Sequence, residues 1–166
     1  MIRPLPWSAC GRPEDPERFA REFRPVLLRM FRALTADAAL AEGLVQRTLL
    51  RALAALPERR EGSLRGWVCR VGYREFLHAR REARPTAPLD GDAPGPSRLS
   101  PDALVLEAAV AALPPDLRDA FVLREVQRLS VREAAEALGA PDGTVKSRLH
   151  AAKSALRAAL SDTFDA

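Results

Sequence analysis

The sequence predicts an all-α chain of two small helical domains joined by a flexible linker. Apolar residues recur at spacings of three and four on both sides of the middle, and no stretch alternates apolar and polar as a strand does. Between them, residues 85–101 (PTAPLDGDAPGPSRLSP) hold five prolines and two glycines with almost nothing apolar. Such a stretch has too little to bury and reads as a linker. The expected division is a leader over 1–16, a helical domain over 17–84, the linker over 85–101, and a second helical domain over 102–166 containing a helix-turn-helix.

In the first half, Phe19, Phe23, Leu27, Met30 and Leu34 share one helical face, with Pro25 inside the pattern expected to kink or break it. Asp37 suits the N-cap of a second helix with a buried stripe of Ala41, Leu44, Val45, Thr48 and Ala52, which Pro57 ends. A third helix is expected from about Leu64 to Arg81, with Leu64, Val68, Val71, Gly72 and Ala79 inward. The second half opens on a short acidic helix near Asp102 to Leu113, and Pro114 and Pro115 then start another, with Leu117, Ala120, Phe121, Val126 and Leu129 apolar. Ser130 and Glu133, three apart, form a capping box for a short helix carrying Val131, Ala134, Ala135 and Leu138. Gly139 can take the left-handed conformation that ends it, and Pro141 or Asp142 opens a last helix with Val145, Leu149, Ala152, Leu156 and Ala159 on its buried side. A short helix, a glycine-containing turn and a longer helix make a helix-turn-helix.

Charge is distributed unevenly within a formal net of +4. Residues 1–85 carry +7, residues 86–112 carry −3, and residues 113–166 are neutral; 24 of the 26 cations are Arg. Arginine suits phosphate and base-edge contacts, although a GC-rich genome gives the same bias without function. No apolar run reaches the roughly 18 residues of a membrane span, and residues 1–13 lack the apolar core of a signal peptide, so a cytoplasmic protein with no membrane partner is expected. Two cysteines (Cys10, Cys69) and two histidines (His78, His150) do not suffice for a structural zinc site, so no metal or cofactor is expected and both thiols read as free and reduced. Neither histidine has a catalytic constellation and no glycine-rich phosphate loop is present, which argues against an enzyme.

Opposite the last helix's apolar stripe lie Lys146, Ser147, His150, Lys153, Ser154 and Arg157, a face with no carboxylate of its own and with donors suited to phosphates and guanine edges. Arg148 falls on the flank, where it either reaches a phosphate or packs along its own domain. The third helix carries Arg70, Arg74, His78 and Arg81 as one cationic stripe. Trp67 is either core or a platform, and the preceding loop with Arg59, Arg60 and Arg65 is either a solvated turn or a base-capturing one.

The words of residues 113–160, above all GTVKSRLH (Gly143 to His150), closely resemble region 4 of the extracytoplasmic-function group of bacterial sigma factors. AEGLVQRTLLRA (Ala41 to Ala52) and SLRGWVCRV (Ser63 to Val71) are similar, more weakly, to region 2. The resemblance implies an alternative sigma factor: two helical domains that bind RNA polymerase core, region 2 melting and reading the −10 element and region 4 docking a recognition helix at −35. It also implies an anti-sigma protein as a frequent partner. On this reading Thr144, Lys146, Ser147, Arg148, His150, Lys153 and Arg157 meet the −35 element. Arg59, Arg60, Arg65, Trp67, Arg70, Arg74, His78 and Arg81 meet the −10 element, and Glu42, Gln46 and Arg47 meet the polymerase.

The chain departs from the family's pattern at several of these positions. Gly43 replaces a usual Asp, deleting a charge and costing about 1 kcal/mol of helix stability relative to Ala, and Arg47 stands where a Glu is common. Arg74 and His78 replace an Asn and an Asp, exchanging specific hydrogen bonds for phosphate attraction. Ala151 stands where an arginine often faces the −35 bases. These exchanges motivate an alternative, a sigma mimic that binds an anti-sigma protein without opening promoters. A stand-alone helix-turn-helix repressor would leave residues 17–84 without a role.

Overall fold

A computed structural model describes residues 15–59, 62–82 and 101–164, and every regular element among them is helical. Seven helices follow in order: α1 (Pro16–Thr35), α2 (Ala38–Ala55), α3 (Leu64–Glu82), α4 (Pro101–Ala112), α5 (Pro115–Phe121), α6 (Val131–Leu138) and α7 (Asp142–Phe164). A short 3-10 turn, Leu56–Glu58, closes α2, and a π-helical segment, Val122–Val126, extends α5. Cys10, Arg60, the leader up to residue 14 and residues 85–100 of the expected linker lie outside the described residues; Pro101 already belongs to α4.

The first helical unit, α1 to α3, starts at two aspartate caps. Asp15 accepts from the Arg18 backbone N–H at 3.0 Å and Asp37 from that of Leu40 at 2.9 Å, each satisfying an orphan donor of a helix start. α1 buries Phe19, Phe23, Leu27, Met30, Phe31 and Leu34. It runs through Pro25 without the break that was one of the two outcomes expected. The ring sits on the solvent side, so the bond it removes is to the carbonyl of exposed Arg21, while apolar contacts on both sides hold the helix together. α2 buries the expected stripe and also Leu49.

α3 departs furthest from the one-faced helix expected. Val68, Gly72 and Phe76 are buried, but so are Gly66, Cys69, Tyr73 and Glu75, while Leu64, Val71 and Ala79 are only half-buried. Its second buried stripe exists because α3 packs on α2 within its own unit and on α6 of the other. α1 likewise touches both α4 and the π-helical segment. The two units are thus in direct contact, and their buried residues form one continuous core.

In the second unit, the capping box forms as expected. Ser130 Oγ accepts from the Glu133 N–H at 3.1 Å and Glu133 Oε2 accepts from the Ser130 N–H at 2.8 Å. Gly139 ends α6 with φ 62°, the left-handed conformation the short turn needs. α7 buries Val145, Leu149, Ala152 and Leu156 against the helices before it; beyond Leu156 it has little to pack on, and Ala159, expected in the stripe, is exposed.

Two glycines test this packing in opposite directions. A Cβ at Gly43 meets nothing within 4 Å, whereas one at Gly72 lies 2.8 Å from Met30 Cε and 3.1 Å from Leu27 Cδ2. Gly43→Ala is expected to raise stability by about 0.5–1 kcal/mol and Gly72→Ala to lower it by about 1–3 kcal/mol. Urea unfolding followed by circular dichroism checks both, and equal effects at the two positions would contradict the packing described.

Candidate nucleic-acid interface

The strongest candidate surface is the outer face of α7. Lys146, Ser147, His150, Lys153, Ser154 and Arg157 are all exposed, and Thr144 is half-buried at the helix start. Buried Val145, Leu149, Ala152 and Leu156 fix the helix's rotation, so the polar face necessarily points outward. The Ser147 hydroxyl donates to the Thr144 carbonyl at 2.9 Å, leaving its lone pairs toward solvent. Of the two alternatives for Arg148 the second holds, and one detail differs from the sequence reading. Arg148 turns toward its own unit, its guanidinium 2.8 Å from Asp116 Oδ2 of α5. The face is also not free of carboxylate influence, because Glu125 of the π-helical segment holds Lys153 at 2.9 Å.

The expected −10 residues are split into two groups. Arg74 and Arg81 are exposed on α3 with no partner among the described residues, and exposed His78 lies beside Glu82 with Nδ1 at 3.2 Å. The other group faces the second unit, so the cationic stripe is not wholly open as the sequence suggested. Arg70 Nη1 is 3.0 Å from Glu136 Oε2 of α6, and Arg65 Nε donates to the Gln127 carbonyl at 3.0 Å. Trp67 is half-buried, lining a cavity of about 360 Å³ between α3 and α6 with Gly66, Arg70, Arg132, Glu133 and Glu136. It is neither a fully enclosed core residue nor an open platform. Arg59 donates to the Gly62 carbonyl across the loop. Arg60 lies outside the described residues.

On α2, Gln46 and Arg47 are exposed, while Glu42 pairs with Arg24 of α1 at 2.8 Å. One turn beyond Gln46, Leu50 is 70% exposed, an apolar side chain on the same face that sequence reading overlooked. Its signal was the pair Leu49–Leu50, of which only the first falls on the buried stripe.

Sequence reading also missed the buried cluster between the units. Asp119 of α5 accepts the Tyr73 hydroxyl at 2.7 Å, and Arg80 lies 3.3 Å from the same oxygen. Burial pushes the Asp119 carboxyl up, and the Tyr73 hydrogen bond and the Arg80 charge offset that in part. Burial, and then the Asp119 charge, raise the Tyr73 hydroxyl, so it stays protonated and donating. The readable signal was Cys69, Tyr73, Phe76 and Arg80 at spacings of 4, 3 and 4, a second stripe along α3. Burial drives the Cys69 thiol up to about 12 despite the opposing Arg65 charge, which keeps it a neutral, inert thiol. For Glu133, burial raises the carboxyl, but hydrogen bonds from the Ser130 backbone and side chain and from Ser63 outweigh it and hold the group low. Among the described residues no cluster of three or more metal-ligating side chains occurs, and no helix is long and apolar enough to cross a membrane.

Known proteins with the same arrangement supply the context. Models of Sigma-70 region 2 and Sigma-70 region 4 match residues 19–86 and 103–156. The chain is 34% identical over 129 residues to the ECF RNA polymerase sigma factor SigE of Mycolicibacterium smegmatis, covering 70% of this chain and 50% of that protein, so it spans half the length of that relative. It is 33% identical over 139 residues to the ECF RNA polymerase sigma factor SigC of Mycobacterium tuberculosis, covering 77% of this chain and 74% of the relative. Among solved structures, the sigma factor RpoE in complex with the anti-sigma factor NepR from Bartonella quintana is similar with a TM-score of 0.73 and 28% identity, over 87% of this chain and 98% of RpoE. With a region 2 match, a region 4 match and a helix-turn-helix that presents its basic face to solvent, the chain belongs to the ECF group of RNA polymerase sigma factors.

Proposed function

We propose that the chain is an alternative sigma subunit that binds RNA polymerase core and directs promoter-specific initiation, its first unit reading the −10 element and its second the −35 element. The observation that carries this reading is the outward face of α7, with Lys146, Ser147, His150, Lys153 and Arg157 exposed on a helix whose rotation the core fixes. The α7 face enters the major groove, where short polar groups and His150 meet base edges while Lys146, Lys153 and Arg157 meet phosphates. Arg74, His78 and Arg81 of α3 attract the −10 strand, and Arg59, Arg60, Arg65, Trp67 and Arg70 complete that surface. Glu42, Gln46 and Arg47 meet the polymerase, and exposed Leu50 extends their face with apolar surface that a partner would cover. Sigma factors act by binding rather than by catalysis, so no residue here is assigned a bond-making role.

An anti-sigma protein is the third partner we assign, supported by the likeness to RpoE, whose solved structure holds NepR. The cytoplasm is the compartment in which these partners meet. One observation favours the mimic as the second reading: in mid-α2, beside the core-facing residues, Gly43 presents neither side chain nor charge, with open space around it.

Run-off transcription with core polymerase on the DNA upstream of the chain's own coding region separates the two. A specific transcript is the expected result; no transcript together with no core binding would leave the mimic. The groove-facing assignment has its own test in −35 binding by the holoenzyme. Lys153→Ala is expected to weaken binding across all sequences and to lower the salt slope by roughly one, whereas His150→Ala and Ser147→Ala change which bases are preferred. Unchanged affinity and preference in all three variants would mean that another face of α7 meets DNA.

A further inference from the structure

The α7 face holds its cations in two ways. Lys146, His150, Lys153 and Arg157 follow one another at spacings of four, three and four along the exposed side of the helix. Lys146 and Arg157 have no ion-pair partner among the described residues, whereas Lys153, between them, is held by Glu125 at 2.9 Å.

The pair has a direction. Glu125 is the more covered partner, its side chain 33% exposed, and Lys153 the more open at 45%, so the carboxylate is set behind the cation. The other α7 pair runs the opposite way, with Arg148 28% exposed beside an Asp116 that is 69% exposed. Two carboxylates from the elements before α6 thus treat two α7 cations differently, one drawing its cation inward and the other presenting it. Glu125 also stands in the π-helical stretch, where the Gln127 N–H reaches back five residues to the Val122 carbonyl. Such widened turns are rare and recur at functional positions.

We infer that Glu125 is a specificity-determining residue of the DNA-reading face, one that positions Lys153 for a single phosphate and lowers the affinity of the face for all others. This role rests on the groove-facing reading of α7 and adds to it a residue outside that helix. An ammonium has three donors, so one given to Glu125 leaves two for a phosphate oxygen. A lysine without such an anchor turns about its four-carbon stem and follows phosphates in any register, which is sequence-independent attraction. With its ammonium held, Lys153 meets a phosphate only where the docked helix brings one to that point. The carboxylate supplies the rest of the discrimination. In a register that brings a phosphate close without engaging Lys153, two like charges face each other, and a selective surface needs such a repulsive element as well as attractive ones. Glu125 therefore lowers total affinity and raises the ratio of preferred to indifferent sequences, which decides which of many competing sites is occupied.

The test uses the full chain and duplex DNA alone. A duplex selected by the unaltered chain from a randomised pool is compared with a shuffled duplex of the same composition, by fluorescence anisotropy at several salt concentrations. Glu125→Gln keeps the shape and removes the charge. It is expected to bind the shuffled duplex about fivefold more tightly, with a salt slope steeper by up to about one, while the selected duplex gains about twofold or less. Glu107→Gln, the same charge change on exposed α4, is the control. In a Lys153→Ala background, Glu125→Gln should raise both affinities alike and leave their ratio unchanged, because the carboxylate then repels phosphates in every register. A ratio unaffected by Glu125→Gln, or one that falls equally with Glu107→Gln or in the Lys153→Ala background, overturns the role of Glu125. Should the unaltered chain select no sequence, the groove-facing reading of α7 falls and this role with it. A lowered ratio alongside failed run-off transcription would keep the role of Glu125 and remove the sigma reading.

Discussion

The Asp119 carboxylate, shared between the Tyr73 hydroxyl and the Arg80 guanidinium, is the interaction on which the relation between the two units depends. A carboxylate so nearly excluded from water is tolerable only with partners in place, and both come from α3 of the other unit. Arg80 in turn lies over the Phe76 ring, 5.2 Å from its centroid, so its guanidinium is placed by packing as well as by charge. Separating the units exposes Asp119 to water, while removing a single partner of Oδ2 adds to the burden of Oδ1, which is buried with no hydrogen-bond partner among the described residues. The cluster therefore specifies one docking geometry more strongly than it stabilises the contact.

From that geometry follows the division of the basic surface. The sequence places a charge of +7 in residues 1–85 and none net in residues 113–166. In three dimensions the neutral half is polarised. Three of its eight cations, Lys146, Lys153 and Arg157, lie on the outer face of α7, with Glu125 beside Lys153, whereas Asp119 and Glu136 face α3. Net charge summed along a segment cancels what the fold separates in space.

Much of the fold was legible because its determinants are local. The Asp37 cap, the Ser130–Glu133 box, Gly139 and the period of the α7 stripe as far as Leu156 act over three to seven residues, and each appears as read. The misses have non-local causes. α3 carries two buried stripes, and a reading that sought a single inward face passed over Cys69 and Tyr73. Pro25 was given its intrinsic helix-breaking weight, which tertiary packing on Phe23, Leu27 and Met30 overrides. For the candidate site, the exposed α7 residues followed directly from periodicity. The partners Asp116, Glu125, Glu136 and Gln127 did not, because each lies 28 to 66 residues from the cation it meets.

The π-helical segment Val122–Val126 also sets where the chain leaves the helix. The Gln127 N–H bonds to the Val122 carbonyl at 2.9 Å, five residues back, and Arg128 follows with φ 55°. That one-residue widening brings the Gln127 carbonyl to Arg65 and its side chain to Cys69. Losing one residue here would withdraw the Gln127 carbonyl from Arg65 and its side chain from Cys69 even if every other side chain survived. Chain length in this short stretch is thus a determinant in its own right, and it makes the segment far less tolerant of a deletion than of a substitution.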